Sequence, residues 1–113
     1  MDMKISFGGK AKVTAEFRSF SVTTDQPVED GGEDAYPSPF DLFIVSLGTC
    51  AGIYVQRFCE ERNIDYEHIT MNLSTEEDDI TGMLKNIHVK IELPEDFPGK
   101  YKKAVVNAAG LCT

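Results

Sequence analysis

Residues 38–62 form a long and almost uncharged segment with the sequence SPFDLFIVSLGTCAGIYVQRFCEER. Ser38 can cap a helix, Pro39 suits the first helical position, and Asp41 stands where a capping box places its carboxylate. We therefore predict one long helix that begins at Ser38 and ends near Arg62.

Most of this helix is too apolar to be a surface element. Its nearly uncharged part, residues 42–55, is shorter than the roughly 20 residues that span a bilayer, so we predict a buried helix rather than a membrane span. One small sheet cannot cover a helix that is apolar nearly all round, and we expect it to pack partly against a second copy of the chain. Gly48 and Gly52 lie on one helical face and would let that copy approach closely.

Alternating apolar residues before the helix predict a β-hairpin. The alternation over residues 11–17 changes parity after residues 18–19, and a two-residue turn there would place Phe17 opposite Phe20. Residues 26–37 contain two glycines, two prolines and several acidic residues, and this composition indicates a surface loop.

A second hairpin and a second helix are predicted after the long helix. Residues 69–73 and 87–93 alternate between apolar and polar, and the acidic segment 76–82 would form the turn between them. Pro98 would open a shorter helix that ends at Gly110. Its apolar stripe consists of Tyr101, Ala104, Val105 and Ala108.

This order of elements predicts an α+β fold. Antiparallel strands would cover a long central apolar helix and a second, shorter helix. A chain of 113 residues is large enough for one hydrophobic core, so we expect a single domain over residues 1–113.

The charge of the chain argues against two classes of partner. Eleven basic and nineteen acidic residues give a net charge of -8, which disfavours binding to nucleic acid and to anionic membranes. No export signal is visible after Met1, so we expect a cytoplasmic protein whose cysteines stay reduced.

Three cysteines are the candidate reactive residues. Cys59 follows Cys50 by nine residues, which places it on the opposite helical face and roughly 13 Å away, too far for a disulfide. Cys112 is therefore the only possible intrachain partner of Cys50. For each thiol the alternative is a small core residue, and spacing alone favours this alternative.

A nucleophilic Cys50 would need a nearby cation, because the thiolate is the reactive form. Cys50 lies about three turns from the helix start, beyond the reach of the helix dipole. Arg57 shares its helical face, with Tyr54 between them, and Arg18 at the hairpin turn is a second candidate. The alternative for each arginine is a solvated surface residue.

Three segments together resemble the OsmC/Ohr family of thiol-dependent hydroperoxide reductases. They are SPFDLF at 38–43, LGTCAG at 47–52 and AAGLC at 108–112, and the resemblance covers nearly the whole chain. It implies an intertwined homodimer with two active sites at the interface. It also implies that Cys50 is the peroxidatic thiol and Cys112 the resolving thiol.

The chemistry that the resemblance implies needs no metal and no organic cofactor. The substrate would be a small organic hydroperoxide, and an external dithiol would be the reductant. His68 and His88 fall in different predicted strands and are expected to be solvated, so no metal site is predicted.

Two features depart from the family pattern. Phe40 occupies the position after the helix-opening proline where characterised members have a glutamate, and Asp41 is better explained as a capping-box residue. Family members usually continue into a further strand after the second cysteine, so we expect that strand to be missing from residues 1–113. An alternative function is therefore a catalytically weak member that binds a small apolar ligand at the dimer interface, with Phe40 helping to line the site.

Overall fold

The computed structural model describes residues 1–111. Contacts divide the chain into two compact units, Met1–Ser46 and the residues from Leu47 onward, and each unit is described by itself. The α+β prediction is confirmed, with the strands in two antiparallel sheets. The extent of the domain, 1–113, and the missing C-terminal strand stay predictions.

The first unit contains a three-stranded sheet in the order β1 (Lys4–Gly9), β2 (Lys12–Phe17) and β3 (Phe20–Thr24). The predicted hairpin is confirmed, because Phe17 pairs with Phe20 and their ring centroids are 5.6 Å apart. The turn lacks glycine, and Arg18 itself adopts the left-handed conformation with φ 51°.

Strand β1 was not predicted. Its pairing with β2 aligns Ile5 with Ala15 and Phe7 with Val13, so the three strands share one apolar face. Within the single chain this face is poorly covered, since Ile5 is 49% and Phe7 82% exposed.

The loop before the long helix is organised around a buried carboxylate, Asp25, which is 0% exposed. Its side chain accepts hydrogen bonds from the amides of Gln26, Glu33 and Ala35 at 2.8, 3.3 and 3.1 Å. Lys12 Nζ lies 3.8 Å from Asp25 Oδ2 and also pairs with Glu33. The loop was predicted, but this anchor was not.

Close backbone approach explains one glycine of the loop. A Cβ on Gly32 would lie 2.0 Å from the Gln26 carbonyl oxygen and 2.7 Å from Asp25 Oδ1. A side chain at position 32 would therefore displace the backbone that surrounds Asp25.

The long helix, α1, spans Pro39–Glu61, close to the predicted limits. The predicted capping box is confirmed in both directions. The Ser38 amide donates to Asp41 Oδ2 at 3.0 Å, and the Asp41 amide donates to Ser38 Oγ at 3.1 Å. Asn63, with φ 55°, follows the last turn.

Helix α1 is far less buried in the single chain than the sequence indicated. Ala51, Val55 and Cys59 are its buried residues, whereas Phe43 and Val45 are each more than half exposed. With 23 residues, α1 is long and apolar enough to cross a membrane by length and composition, so the estimate from residues 42–55 was too short. A core helix of a soluble protein passes the same test, and the absence of a membrane partner stays a prediction.

The second unit contains the predicted second hairpin, β4 (Thr70–Glu77) and β5 (Leu84–Glu92), which pair antiparallel. Both strands extend further toward the turn than predicted. In the turn the Asp78 carboxylate accepts hydrogen bonds from the amides of Ile80 and Thr81, each at 2.9 Å.

The second helix, α2 (Lys102–Ala109), is preceded by a short 3₁₀ turn, Gly99–Tyr101. The predicted apolar stripe is confirmed, because Val105 is 0% and Ala108 7% exposed. The core of this unit consists of Val55, Cys59, Phe97 and Val105.

Candidate functional site

Cys50 lies in the middle of α1 and is half-buried. Its predicted partner, Cys112, lies outside the described residues, and the pairing of the two thiols stays a prediction. The two glycines on either side of Cys50 in α1 have different surroundings. A Cβ on Gly48 would lie 3.6 Å from Leu73 Cδ1, so Gly48 packs against β4 of its own chain, whereas Gly52 faces open space.

A groove of about 410 Å³ lies beside the second half of α1, and Cys50 is not among the described residues that line it. Tyr54 and Arg57, four and seven residues after Cys50, both line it, as helical periodicity predicts. Ala108, at the end of α2, and Leu111, which follows that helix, also line the groove. Leu111 is the last described residue and precedes Cys112 in the sequence.

Arg62, which the sequence indicated only as the end of the helix, also lines the groove. Its guanidinium donates a hydrogen bond to the Phe58 carbonyl at 3.0 Å and lies 3.7 Å from the centroid of the Phe58 ring. Glu61 Oε2 is 3.6 Å from Arg62 Nη1. The spacing of Phe58 and Arg62, one helical turn, was the available signal for this contact.

The charge of the groove differs in sign from that of the chain. The groove is lined by two arginines, Arg57 and Arg62, and by one carboxylate, Glu61, whereas the whole chain carries a net charge of -8. Tyr54, Phe58, Ala108 and Leu111 supply apolar surface beside these cations. The groove can therefore receive an organic molecule next to positive charge.

The second candidate cation, Arg18, lies at the β2–β3 turn in the first unit. Its guanidinium is 4.8 Å from the Phe20 ring centroid and 6.0 Å from that of Phe17. Cation–π attraction to these two rings explains why the Arg18 side chain lies against the turn. A role for Arg18 beside Cys50 stays a prediction.

Cys59 is a core residue. It is a free thiol, 0% exposed, and belongs to the apolar cluster of the second unit. Burial raises the pKa of the Cys59 thiol, and the charge of Arg62 only partly opposes this effect. A protonated, enclosed thiol does not act as a nucleophile.

Phe40, at the position of the family glutamate, forms an exposed aromatic pair with Phe43. Their ring centroids are 6.5 Å apart, and the two residues are 43% and 52% exposed. Because Asp41 is engaged with Ser38, its interpretation as a capping residue is confirmed.

Residues 1–111 contain no group of three or more histidine, cysteine, aspartate and glutamate side chains placed to hold a metal ion. His68 and His88 are both exposed, as predicted. The absence of a metal or an organic cofactor from the function stays a prediction.

Comparison with known proteins identifies the family. The family described as OsmC-like protein matches residues 31–113. No curated protein matches the chain by sequence.

Several solved structures share the fold. A protein of Psychrobacter arcticus 273-4, linked by name to osmotic stress and detoxification, is 22% identical with a TM-score of 0.82, over 97% of this chain and 82% of that one. The OsmC-like protein of Mycoplasma pneumoniae is 16% identical with a TM-score of 0.76, over 98% and 81%. The organic hydroperoxide resistance protein OhrB of Bacillus subtilis is 24% identical with a TM-score of 0.57, over 99% and 86%. The structures establish the shared fold, and the match over residues 31–113 shows that this chain belongs to the OsmC-like family.

Proposed function

We propose that the protein is a thiol-dependent peroxidase that reduces organic hydroperoxides, with Cys50 as the peroxidatic thiol and Cys112 as the resolving thiol. The observation that carries the proposal is the place of Cys50, half-buried in the middle of α1 and one and two helical turns before Tyr54 and Arg57, which line a partly apolar groove. Membership of the OsmC-like family supports it, as does the shared fold with the organic hydroperoxide resistance protein of B. subtilis.

The proposed reaction has three steps. The Cys50 thiolate attacks the distal peroxide oxygen, the O–O bond breaks, and the sulfur becomes a sulfenic acid while the alkoxide takes a proton from water and leaves as the alcohol. The Cys112 thiol then displaces water from this sulfenic acid and forms a disulfide. An external dithiol reduces the disulfide by exchange and is itself oxidised.

Arg57 is the candidate that would favour the Cys50 thiolate. It shares the helical face of Cys50 and lines the groove, and a guanidinium stays charged at any physiological pH. Replacing Arg57 with Gln should slow peroxide consumption, and the same change at Arg18 tests the second candidate.

The apolar part of the groove favours an organic substrate. Phe58 and Leu111 offer surface to a hydrocarbon group, which hydrogen peroxide lacks. Cumene hydroperoxide should therefore be consumed faster than hydrogen peroxide, and equal or reversed rates would count against this preference.

Peroxide consumption by single-cysteine variants is the main test. Cys50→Ser should lower the rate by on the order of a thousandfold or more, because the nucleophile is lost. Cys112→Ser should keep the first turnover and then accumulate overoxidised Cys50, detected by mass spectrometry. Cys59→Ala is the matched control and should keep the wild-type rate, since that thiol is enclosed in the core. A Cys50→Ser variant with the wild-type rate would refute the proposal.

The exposed Phe40 and Phe43 pair favours a second candidate function, the binding of a small apolar ligand by a catalytically weak member. The pH dependence of Cys50 labelling separates the two functions. An ordinary free-thiol value of about 8.5 without peroxide consumption would favour the binding protein, whereas reactivity that persists at lower pH would favour the peroxidase.

We also propose that the protein acts as a cytoplasmic homodimer. The exposed apolar residues of α1 and β1 support this assembly, because apolar patches of this kind mark interaction surfaces. Sedimentation of the purified protein at micromolar concentration would measure its mass, and a monomer would contradict the proposal.

A further inference from the structure

Two aromatic rings and one guanidinium join the end of α1 to the start of α2. The Phe58 and Tyr101 rings meet edge to face, with centroids 5.9 Å apart and an interplanar angle of 82°. The central carbon of the Arg62 guanidinium lies 3.7 Å from the Phe58 centroid and 5.6 Å from the Tyr101 centroid. Rings in this arrangement attract each other, and both attract the cation. We call these three side chains the α1–α2 clamp.

The cation of the clamp is held from the α1 side. Arg62 Nη1 donates a hydrogen bond to the Phe58 carbonyl at 3.0 Å, and Glu61 Oε2 lies 3.6 Å from the same nitrogen. Both contacts are made near the end of α1. Tyr101 is therefore the one member of the clamp that comes from the start of α2.

The start of α2 lacks a capping side chain. Tyr101 occupies the N-cap position, and no side-chain hydrogen bond caps the helix there. Helix α2 has eight residues, and a helix of this length is not stable without tertiary contacts. The clamp supplies such a contact at the point where a cap is missing, so it fixes where α2 begins.

Helix α2 stays beside α1 beyond the clamp. Val105 shares the core cluster with Val55 and Cys59 of α1. Ala108 and Leu111 line the groove beside the second half of α1. The chain therefore follows α1 from the clamp to the last described residue.

Backbone hydrogen bonds connect α2 to that last residue. The Gly110 amide donates to the Asn107 carbonyl, and the Leu111 amide donates to the Ala108 carbonyl, each at 3.1 Å. Cys112 follows Leu111 in the sequence and lies outside the described residues. A change in where α2 begins is thus passed along one hydrogen-bonded segment as far as Leu111.

We infer that the clamp positions the C-terminal segment for disulfide formation, and that Tyr101 is a positioning residue for this step. The inference rests on the proposed function, in which the Cys112 thiol displaces water from the Cys50 sulfenic acid. Tyr101 acts through α2. It is not among the described residues that line the groove beside α1, so the attack of Cys50 on the peroxide does not depend on it.

Equilibration with glutathione tests the inference without peroxide. Oxidised glutathione converts Cys50 and Cys112 to their disulfide and is itself reduced to two thiols, and the equilibrium constant measures how readily the two cysteines meet. Tyr101→Ala should lower this constant about tenfold, because without the clamp α2 is correctly placed for only a fraction of the time. The reduction potential of the disulfide should rise accordingly by about 30 mV.

A conservative variant and a matched control accompany this measurement. Tyr101→Phe keeps the ring and should stay within about twofold of the wild-type constant. Tyr66→Ala makes the same change at another tyrosine of this unit that is not part of the clamp, and it should also stay within about twofold. An unchanged constant in Tyr101→Ala, or an equal fall in Tyr66→Ala, would overturn the inference.

Overoxidation gives a kinetic readout of the same step. Slower disulfide formation leaves the Cys50 sulfenic acid exposed for longer to a second peroxide molecule. Tyr101→Ala should therefore reach half overoxidation, measured by mass spectrometry, at a peroxide concentration about tenfold lower than the wild type does. Its first turnover should stay within about twofold of the wild-type rate. The same overoxidation threshold in both proteins would contradict the inference.

The two readouts separate failure of this inference from failure of the proposed function. A wild-type protein that does not consume peroxide would refute the peroxidase, yet the glutathione equilibrium would still show whether Tyr101 positions the two thiols. A wild-type protein that forms no disulfide with oxidised glutathione would overturn the inference, whereas peroxide consumption that depends on Cys50 would still support the peroxidase.

Discussion

The two units of the chain, residues 1–46 and the residues from Leu47 onward, bury different kinds of side chain. In residues 1–46, all of which are described, Asp25 is the one buried side chain. In residues 47–111 the buried side chains are apolar residues and the thiol of Cys59. The first unit is thus organised by a hydrogen-bonded carboxylate and the second by a hydrophobic cluster.

The two units also differ in the exposure of their apolar side chains. The second unit encloses Val105 and Cys59 completely, whereas the apolar face of the first sheet leaves Phe7 82% exposed. Exposed apolar surface of this kind is a mark of interaction sites. The first sheet therefore offers apolar surface that the proposed homodimer could cover.

Removing the polar anchor should have the largest effect on stability. Asp25→Ala would leave the buried amides of Glu33 and Ala35 without an acceptor and Lys12 without one of its partners. We expect the melting temperature to fall by on the order of 15 °C, measured by circular dichroism. Glu29→Ala, on the exposed part of the same loop, is the control and should change it by about 2 °C or less.

The acid limb of the stability curve gives an independent readout of the same variant. Burial of Asp25 acts to raise the pKa of its carboxyl, but hydrogen bonds from the amides of Gln26, Ala35 and Glu33 and the charge of Lys12 together hold that pKa below its ordinary value of 3.8. Because the folded-state pKa is depressed, this stabilisation is complete above the unfolded-chain value and is lost as the pH falls below it. Asp25→Ala should therefore flatten the loss of stability at acidic pH, and an unchanged acid limb would contradict this role.

A neighbouring pair of valines tests the hydrophobic unit with a smaller expected effect. Val105 is 0% exposed in the core, and Val106 is 54% exposed on the other side of α2. Val105→Ala should lower the free energy of unfolding by about 2–3 kcal/mol through lost burial and the cavity left behind. Val106→Ala should lower it by less than about 0.5 kcal/mol. Urea unfolding measures both, and equal losses would show that the second unit does not depend on its apolar cluster.

The smallest effect is expected at the start of α1, where an exposed capping box precedes the apolar helix. Ser38→Ala removes the acceptor of the Asp41 amide and should lower the free energy of unfolding by about 1 kcal/mol. Ser74→Ala, at an exposed position of β4, is the control and should have almost no effect. A loss at Ser74 as large as that at Ser38 would argue against the capping box.

Local patterns in the sequence were sufficient for several elements. The caps and apolar content of residues 38–62 predicted α1, and the parity change after Phe17 predicted the hairpin register. Strand β1 was missed because only Ile5 and Phe7 alternate within its six residues, which is too short a pattern to recognise. Its pairing with β2 makes it a strand.

Part of the candidate site could be predicted in the same way. Helical periodicity placed Cys50, Tyr54 and Arg57 on one side of α1, and both later residues line the groove. The other lining residues Ala108 and Leu111 come from the end of α2 and the segment after it, about fifty residues further along the chain. No pattern within α1 could indicate that these two residues line the groove.

The sequence by itself determined the family, the long capped helix and the reactive-residue candidates, because each depends on residues close together in the chain. Only the tertiary structure decided that Asp25 is an anchor, that Cys59 is enclosed and that Arg62 lines the groove beside α1. The amides that bind Asp25 come from one, eight and ten residues later, and Lys12 comes from another strand. Burial and long-range contacts of this kind arise when distant segments pack, and periodicity within one segment does not encode them.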